Sequence, residues 1–208
     1  MSAMAPVVVL GTSGHAAVVV ELARAAGLDV VGCIGPDHAD SDAAFAPYLG
    51  GDDWLDSEAA KGVALANGIG SVGVAGRRKP LFLELKARGF DFPALVHPRA
   101  VVAPTARIGA GALVMAGAIV QAFAEIGDNV IVNSGAIVEH HCRIGEHAHV
   151  APGATLCGGV VLGAESFVGA GATVIQYRTI GARAMIAAGA VVVGDVDDGA
   201  ELRGVPAK

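Results

Sequence analysis

The sequence predicts a small α/β domain followed by a solenoid of short parallel strands. Two observations carry this prediction. Every sixth residue from Val96 to Val192 is Val, Ile or Leu, whereas the residues before Val96 follow a β–turn–α–β order. A period of six matches neither the 3.6-residue turn of an α-helix nor the two-residue alternation of a long strand. We therefore divide the chain into a front domain, residues 1–92, and a repeat domain, residues 93–208.

The front domain opens with a strand–turn–helix unit. Val7–Leu10 is a short apolar run of the kind found in buried parallel strands. The tight turn GTSGH follows at residues 11–15, and residues 16–26 have helical character that Gly27 closes as a C-cap. A second strand is expected at residues 30–34. This order predicts a small Rossmann-like parallel sheet.

The rest of the front domain is less regular. Residues 80–86 read as a second helix with Pro80 in its first turn, where the missing N–H costs nothing. Residues 40–76 favour no single assignment.

The repeat domain carries a second period, three times as long as the first. Three steps of six per coil describe a triangular coil, in which one aliphatic residue per side points inward. Glycines are expected at the turns, because they reach backbone angles that strain other residues. Each coil buries its core only against its neighbours, so stability is cooperative along the stack. The glycines that show the longer period are Gly109, Gly127, Gly145, Gly163 and Gly181.

Composition and charge exclude several function classes. The chain is 53% hydrophobic but only 4% aromatic, so its core must consist of small and branched side chains. A net charge of -6 argues against binding long nucleic acid, which needs a basic face. No run approaches the roughly 18 apolar residues of a membrane span. The three cysteines show no CxxC spacing, so we expect a reduced, cytoplasmic protein without a metal.

Four segments match a known family pattern: GTSGH at 11–15, His97-Pro98, NSGAIVEHHCRIGEHAHVAP at 133–152 and GVPAK at 204–208. Through them the chain resembles the hexapeptide-repeat acyltransferases, whose fold is a left-handed parallel β-helix. Within that group it resembles the sugar O- and N-acetyltransferases, above all those of the perosamine and bacillosamine pathways. The resemblance extends over nearly the whole chain, and the third segment is the most specific.

The resemblance implies an enzyme that uses acetyl-CoA as co-substrate. Its acceptor would be the 4-amino group of a nucleotide-linked dideoxy amino sugar, such as GDP-perosamine or a UDP-4-amino sugar, for polysaccharide biosynthesis. It also implies a homotrimer with active sites between neighbouring chains. Three alternatives stay open: O-acetylation of a sialic-acid-like sugar, zinc chemistry of the carbonic anhydrase kind, and nucleotide-sugar binding without catalysis.

The family motif implies the catalytic residues. His140, in the segment VEHHC, matches the general base, and a general base accelerates a reaction by roughly 10²–10⁴-fold. Gly158 stands one coil later, where the family uses the backbone N–H to stabilise the oxyanion. The family usually has Asp or Glu after the base, whereas this chain has His141. A neutral imidazole accepts a hydrogen bond but supplies no negative charge, so we expect a weaker base unless Glu139 substitutes.

The resemblance also implies the acetyl-CoA site. His149 matches a histidine that contacts the acetyl-CoA end of the site. Ala170 and Ala188 lie one coil apart and would line the groove for the pantetheine arm. The tail would fold over CoA, with Pro206 and Lys208 near its adenine and phosphate end.

The acceptor would be bound by both domains. The GTSGH turn offers phosphate capture at a helix N-terminus, with the histidine reaching the sugar. An acidic residue after the second strand would bond the ribose or the base, basic residues before the second helix would add phosphate contacts, and an asparagine of the repeat would lie near the sugar. These candidates are Gly11, Thr12, Ser13, Gly14, His15, Asp37, Arg78 and Asn133.

Overall fold

A computed structural model describes residues 5–35, 45–71 and 76–208, which divide into two compact units. Unit 1 comprises the described residues of Met1–Gly70 and Arg77–Leu95, and unit 2 those of Ser71–Gly76 and Val96–Lys208. The compact units thus divide after Leu95, and Ser71 and Gly76 group with the repeat. The assignment of nucleotide-sugar binding to residues 1–92 and of catalysis to residues 93–208 stays a prediction.

Unit 1 contains a four-stranded parallel sheet and two helices. Two 3₁₀ helices, Asp52–Asp56 and Glu58–Ala60, lie between the third and fourth strands. In chain order the main elements are β1 (Val7–Leu10), α1 (Gly14–Ala25), β2 (Val30–Ile34), β3 (Tyr48–Gly50), β4 (Ala64–Asn67) and α2 (Arg78–Ala87). The strands β3 and β4 fall in the stretch that the sequence left unassigned.

The order of the strands in this sheet places a crevice at the end of β1. The order is β3–β2–β1–β4, so the chain first adds strands on one side of β1 and then returns to its other side. All four residues of β1 are buried, which suits a central strand. In open parallel sheets, ligands bind beyond the carboxyl ends of the strands where the strand order reverses.

Unit 2 is a coil of two-residue parallel strands. Each strand supplies one inward residue, and the turns between strands have four residues. In chain order the strands are β5 (Leu95–Val96), β6 (Val101–Val102), β7 (Arg107–Ile108), β8 (Leu113–Val114), β9 (Ile119–Val120), β10 (Glu125–Ile126), β11 (Ile131–Val132), β12 (Ile137–Val138), β13 (Arg143–Ile144), β14 (His149–Val150), β15 (Thr155–Leu156), β16 (Val161–Leu162), β17 (Phe167–Val168), β18 (Thr173–Val174), β19 (Thr179–Ile180), β20 (Met185–Ile186), β21 (Val191–Val192) and β22 (Glu201–Leu202).

These strands form three sheets, which we call the three faces. The first face is β5–β8–β11–β14–β17–β20–β22, the second is β6–β9–β12–β15–β18–β21, and the third is β7–β10–β13–β16–β19. We name the turns after strands of the first, second and third faces corner 1, corner 2 and corner 3. Every aliphatic residue of the six-residue series, from Val96 to Val192, packs in one continuous core.

The regular repeat ends after Val192. On the third face, Val196 bridges Ile180 at a shorter spacing than that between paired strands of the earlier coils, and β22 follows β20 at the same shortened spacing. Val196 is nevertheless buried in the common core. The last coil is therefore two residues shorter than the others. No helix in the described ranges is long and apolar enough to cross a lipid bilayer.

Candidate active site

His140 and His141 lie in the corner 2 turn that follows β12. Hydrogen bonds to the coils before and after hold this turn in place. The His141 N–H donates to the Ala122 carbonyl at 3.0 Å, and the His140 carbonyl accepts from the Gly159 N–H at 2.9 Å. His141 has a left-handed backbone with φ of 59°, while His140 before it projects an exposed ring.

The imidazole of His140 packs directly against Gly158, one coil later. A methyl group added at Gly158 would lie 2.6 Å from His140 Nε2 and 2.5 Å from its Cε1. Only glycine leaves room for the ring in this position. Within the described part of the chain, the Gly158 amide N–H has no acceptor. A free backbone donor therefore lies beside a free imidazole nitrogen.

His140 is also bonded to its neighbour in sequence. Its Nδ1 lies 3.1 Å from Nδ1 of His141, and the two rings meet edge to face with centroids 5.3 Å apart. The ring of Phe123, one coil earlier, packs on His141 at 5.1 Å. The Glu139 carboxylate accepts from the backbone N–H of His140 at 3.4 Å. The imidazole rather than the carboxylate of this turn is thus the partner of the His140 ring.

Cys142 ends the same turn but is not a nucleophile. Its side chain is fully buried, and its thiol donates to the Cys157 carbonyl at 3.2 Å. Burial raises the pKa of this thiol to about 11, against the smaller lowering effect of backbone hydrogen bonds. The thiol therefore stays protonated near neutral pH, and only the thiolate is a good nucleophile.

His149 and Asn133 lie together on the first face and at corner 1. The Asn133 amide nitrogen is 3.0 Å from His149 Nε2, and the Ser71 carbonyl is 3.0 Å from His149 Nδ1. A carbonyl only accepts, so Nδ1 carries the hydrogen and Nε2 accepts from the amide. The His149 ring packs edge to face on Phe167. His149 is thus fixed as a neutral wall residue, and its contact with acetyl-CoA stays a prediction.

Corner 1 presents a row of small residues. Ala170 and Ala188 are both exposed there. Each is followed by a left-handed glycine, Gly171 and Gly189, around which a methyl group would meet nothing within 4 Å. Corners 2 and 3 hold larger residues in the same left-handed conformation. Glycine at corner 1 is therefore not required by the backbone angle alone, and Gly171 and Gly189 leave their positions there without a side chain.

The C-terminal tail closes on itself. Arg203 and Lys208 exchange backbone hydrogen bonds of 3.1 and 3.0 Å, and the Ala207 N–H donates to the Val191 carbonyl of β21. Pro206 and the cationic side chains of Arg203 and Lys208 are exposed. The tail thereby places two cationic side chains at the last coil, and one of them, Arg203, lies 3.6 Å from the Glu201 carboxylate.

Unit 1 has a cavity of about 220 Å³ beyond the carboxyl end of β1. Three predicted residues of the GTSGH turn line it, and a mostly apolar wall faces them. An ion pair between Arg77 and Asp52 stands at its rim. The lining residues are Leu10, Gly11, Thr12, Ser13, Ile34, Gly35, Asp52, Leu55, Ile69, Arg77 and Leu81.

The remaining predicted substrate residues differ in their placement. Gly14 begins α1 and is exposed, and His15 packs with its Cβ against Gly70. Asp37 lies outside the described residues. Their roles toward a substrate stay predictions.

Arg78 occupies a structural position. Its side chain is only 4% exposed and donates to the carbonyls of Asn67 and Ile69 at 2.6 and 3.0 Å. The Asn67 side chain in turn donates to the Arg78 carbonyl. Burial lowers the pKa of Arg78 to about 9, so it remains charged near neutral pH. Arg78 therefore links β4 and α2, and its contact with a substrate phosphate stays a prediction.

Sequence reasoning missed two aromatic residues at corner 2. Phe123 and Tyr177 are 56% and 69% exposed, and the Tyr177 ring covers Gly159. Both lie a whole number of coils from His141 in the sequence, and this spacing was the signal that could have found them. Among residues 5–35, 45–71 and 76–208, no group of three or more His, Cys, Asp or Glu side chains is arranged to hold a metal ion.

Comparisons with known proteins agree with this fold. Residues 105–140, 123–158 and 141–176 match the family described as bacterial transferase hexapeptide (six repeats). A comparison with curated proteins gives no match. The other comparison gives solved structures that cover nearly the whole chain.

Two of these structures are also similar in sequence. PerB from Caulobacter crescentus, solved with CoA and GDP-perosamine, is 40% identical with a TM-score of 0.90, over 99% of this chain and 97% of that chain. The acetyltransferase domain of PglB from Neisseria gonorrhoeae is 36% identical with a TM-score of 0.89, over 98% of both chains. WeeI from Acinetobacter baumannii, at 21% identity and a TM-score of 0.63, shows the fold alone.

These relationships confirm the predicted fold, a small α/β unit followed by a left-handed parallel β-helix. They also confirm that the chain is an acyltransferase. It belongs to the sugar acetyltransferase group of the hexapeptide-repeat acyltransferases.

Proposed function

We propose that this protein transfers the acetyl group of acetyl-CoA to the 4-amino group of a nucleotide-linked dideoxy amino sugar. The observation that carries the proposal is the pairing of the His140 ring with Gly158, whose N–H has no acceptor within the described residues. Acetyl transfer needs a base for the amine and a donor for the oxyanion at adjacent positions. Both are present at corner 2.

The reaction proceeds by direct attack. The amine nitrogen attacks the acetyl carbonyl carbon while the Gly158 N–H donates to the developing oxyanion. His140 Nε2 takes a proton from the amine, the C–S bond breaks, and the thiol of CoA leaves after receiving that proton. A preorganised oxyanion donor contributes roughly 3 kcal/mol to transition-state stabilisation. Cys142 forms no acetyl-enzyme, because its thiol stays protonated.

The residues of the repeat fit acetyl-CoA. Corner 1 is free of side chains at Gly171 and Gly189, so a narrow pantetheine arm can lie along it. Arg203 and Lys208 supply positive charge at the end of this corner for the phosphate groups. The solved relatives from Neisseria gonorrhoeae and Caulobacter crescentus carry acetyl coenzyme A and CoA, which supports the same co-substrate here.

The unit 1 cavity fits part of a nucleotide. The Gly11–Ser13 turn precedes the N-terminus of α1, and a helix N-terminus favours a phosphate. The apolar wall suits a base or a ribose. PerB was solved with GDP-perosamine, and this relationship favours an acceptor of that class.

The base and the small-residue row lie on different corners, 2 and 1, of one chain. We therefore propose a homotrimer in which one chain supplies His140 and a neighbour supplies much of the CoA wall. Multi-angle light scattering measures the assembly directly. A mass of one chain in a turning-over enzyme would contradict the trimer without affecting the chemistry.

The function is tested by release of the CoA thiol. Acetyl-CoA is incubated with UDP-, GDP- and dTDP-linked 4-amino sugars, using the wild-type protein and His140→Ala. We expect turnover with one nucleotide series and a loss of about 10²–10⁴-fold in the variant. His147→Ala, which removes a histidine at corner 3, is the control and should retain activity.

The panel also separates the alternatives. Transfer to sialic-acid-like hydroxyls instead of amines would replace the N-acetyltransferase by an O-acetyltransferase. No thiol release with any acceptor, together with retained nucleotide-sugar binding, would favour a binding protein.

A further inference from the structure

The ring of His140 has an imidazole, not a carboxylate, as its hydrogen-bond partner. Nδ1 of His140 and Nδ1 of His141 are 3.1 Å apart. A hydrogen bond between two imidazole nitrogens needs one N–H and one lone pair. The two neutral rings must therefore adopt complementary tautomers, and only one assignment leaves a basic nitrogen at the reaction centre.

The position of Gly158 decides which tautomer of His140 can act as a base. His140 Nε2 is the ring nitrogen nearest the place of a Gly158 methyl group, at 2.6 Å against 3.2 Å for Nδ1. A base acting there needs its lone pair on Nε2 and its hydrogen on Nδ1. His141 must then accept on Nδ1 and carry its own hydrogen on Nε2.

The surroundings hold His141 in this orientation. Its left-handed backbone, with φ of 59°, points the side chain back toward the preceding residue, and the Phe123 ring packs against it. The titratable groups around the pair are few. Glu139 and Cys142 share its turn, Cys157 begins the corner 2 turn of the next coil, Tyr177 covers Gly159 in that turn, and Arg143 follows on the third face.

We propose that His141 is a positioning residue, which fixes His140 as the Nδ1–H tautomer by accepting its hydrogen bond. The inference rests on the proposed function for its role in acetyl transfer. The bond persists when His140 takes a proton from the substrate, because Nδ1–H still donates. It reverses when His141 itself is protonated, because Nδ1 of His141 then donates, and His140 must accept on Nδ1 and carry its own hydrogen on Nε2. A carboxylate partner stays deprotonated near neutral pH and continues to accept the hydrogen bond.

The pH dependence of the rate distinguishes the two kinds of partner. In His141→Asp, Asp tolerates the left-handed backbone and accepts at all pH values well above about 4. At the acid limit we expect the ratio of wild-type to His141→Asp kcat/KM to fall about tenfold per pH unit, because the wild type must lose a proton from both histidines and the variant from His140 alone. Ionisation of the acceptor amine affects both enzymes equally and cancels in this ratio. A ratio independent of pH would overturn the proposal.

Removal of the ring gives the second comparison. His141→Gly removes the partner and relaxes the left-handed backbone, so a loss of activity does not reflect strain. We expect kcat to fall by about tenfold or more. The loss should not exceed the roughly 10²–10⁴-fold that a general base contributes. His147→Gly removes a histidine from the same conformation at corner 3 and should leave kcat unchanged. Equal activity of His141→Gly and wild type would contradict the role.

Tautomers are measured without turnover by long-range ¹H–¹⁵N correlation on histidine-labelled protein. We expect His140 as the Nδ1–H form in the wild type and in His141→Asp, and loss of that preference in His141→Gly. His140 as the Nε2–H form in the wild type would overturn the assignment. The expected tautomers without acetyl transfer to any amine would support the assignment and overturn the proposed function instead.

Discussion

At the scale of single residues, the site depends on how closely side chains approach glycine. His140 and Gly158 are one full coil apart in the sequence, so the period places them on adjacent coils. The hydrogen-bond ladder then brings the ring over the glycine, where no Cβ fits. A side chain at position 158 would therefore displace the exposed His140 ring without entering the core.

Gly158→Ala tests this contact. Its methyl group would lie 2.6 Å from His140 Nε2, so the exposed ring must rotate away. We expect kcat to fall by roughly 10²-fold and the melting temperature to change little, because the ring has solvent to move into. Gly194→Ala, which meets nothing within 4 Å, is the matched control. Retained kcat in Gly158→Ala would show that the ring contact is dispensable.

Because its thiol is buried, Cys142 should make the fold less stable at alkaline pH. Burial raises its pKa from 9.0 to about 11. As the pH rises above 9, the unfolded chain loses the proton first and is favoured. The free energy of unfolding should therefore fall between about pH 9 and pH 11, by at most about 3 kcal/mol.

Denaturant unfolding under reducing conditions measures this loss across the pH range. Cys142→Ala should lack the component, whereas Cys157→Ala should keep it. Identical pH profiles for wild type and Cys142→Ala would mean that the buried thiol is not the source.

At the scale of elements, the three corners share one backbone conformation but differ in side chains. Corner 1 has glycine at each left-handed position, whereas corners 2 and 3 of the regular coils have glycine only at Gly159 and Gly111 and otherwise carry Phe, His, Tyr, Asn, Glu and Arg there. Non-glycine residues pay roughly 1–2 kcal/mol for this conformation. The larger residues are therefore tolerated. Glycine at corner 1 is not needed for the backbone conformation, and its effect is to remove a side chain from the surface.

Gly171→Asn fills corner 1 with a side chain that tolerates the left-handed backbone. We expect KM for acetyl-CoA to rise roughly tenfold, which corresponds to about 1.4 kcal/mol, while kcat changes less. Arg183→Asn introduces the same residue at the same kind of position on corner 3 and should leave KM unchanged. An equal effect of both substitutions would argue against a groove at corner 1.

At the scale of the whole molecule, the repeat unit gains stability from contacts between neighbouring coils. Val150 lies in β14, which pairs with β11 and β17, whereas Val192 lies in β21, which pairs with β18 alone among the strands. Both side chains are buried in the same core. Position along the stack is therefore the main difference between them.

Val150→Asn should cost more stability than Val192→Asn. A buried amide without a partner costs about 1–3 kcal/mol beyond the lost apolar contacts. In the middle of the stack it damages two interfaces between complete coils, and near the end it damages one such interface and the contact with the short tail. Urea unfolding of both variants gives the comparison. Equal losses would indicate that the stack does not behave as a chain of nearest-neighbour contacts.

The sequence was sufficient for the regular part of the fold. The six-residue period located the inward residues because each strand has a fixed length and no insertion interrupts the coils. It failed after Val192, where the last coil is shortened and no longer follows the period. Strand β3 was missed because three partly exposed residues carry no apolar pattern.

The site was predictable only where the period applies. The adjacency of His140 and Gly158 follows from their spacing, but the bond between the rings of His140 and His141 depends on a left-handed backbone angle. The bond between His149 and Ser71 joins residues 78 positions apart. The burial of Arg78 was not predictable, because a run of basic residues gives no sign of which one is buried.

The constant spacing of the coils sets the distance along the stack between the His140 turn and the C-terminal tail. Strands β12 and β21 are three positions apart on the second face, which corresponds to roughly 14 Å at about 4.8 Å per strand. The first carries the turn with His140, and the tail pairs with the second. Adding or removing one coil between them would change this separation in a fixed step while leaving both ends intact. Under the proposed function, the number of coils would thus set the length of the acyl donor that extends from the His140 turn to the tail.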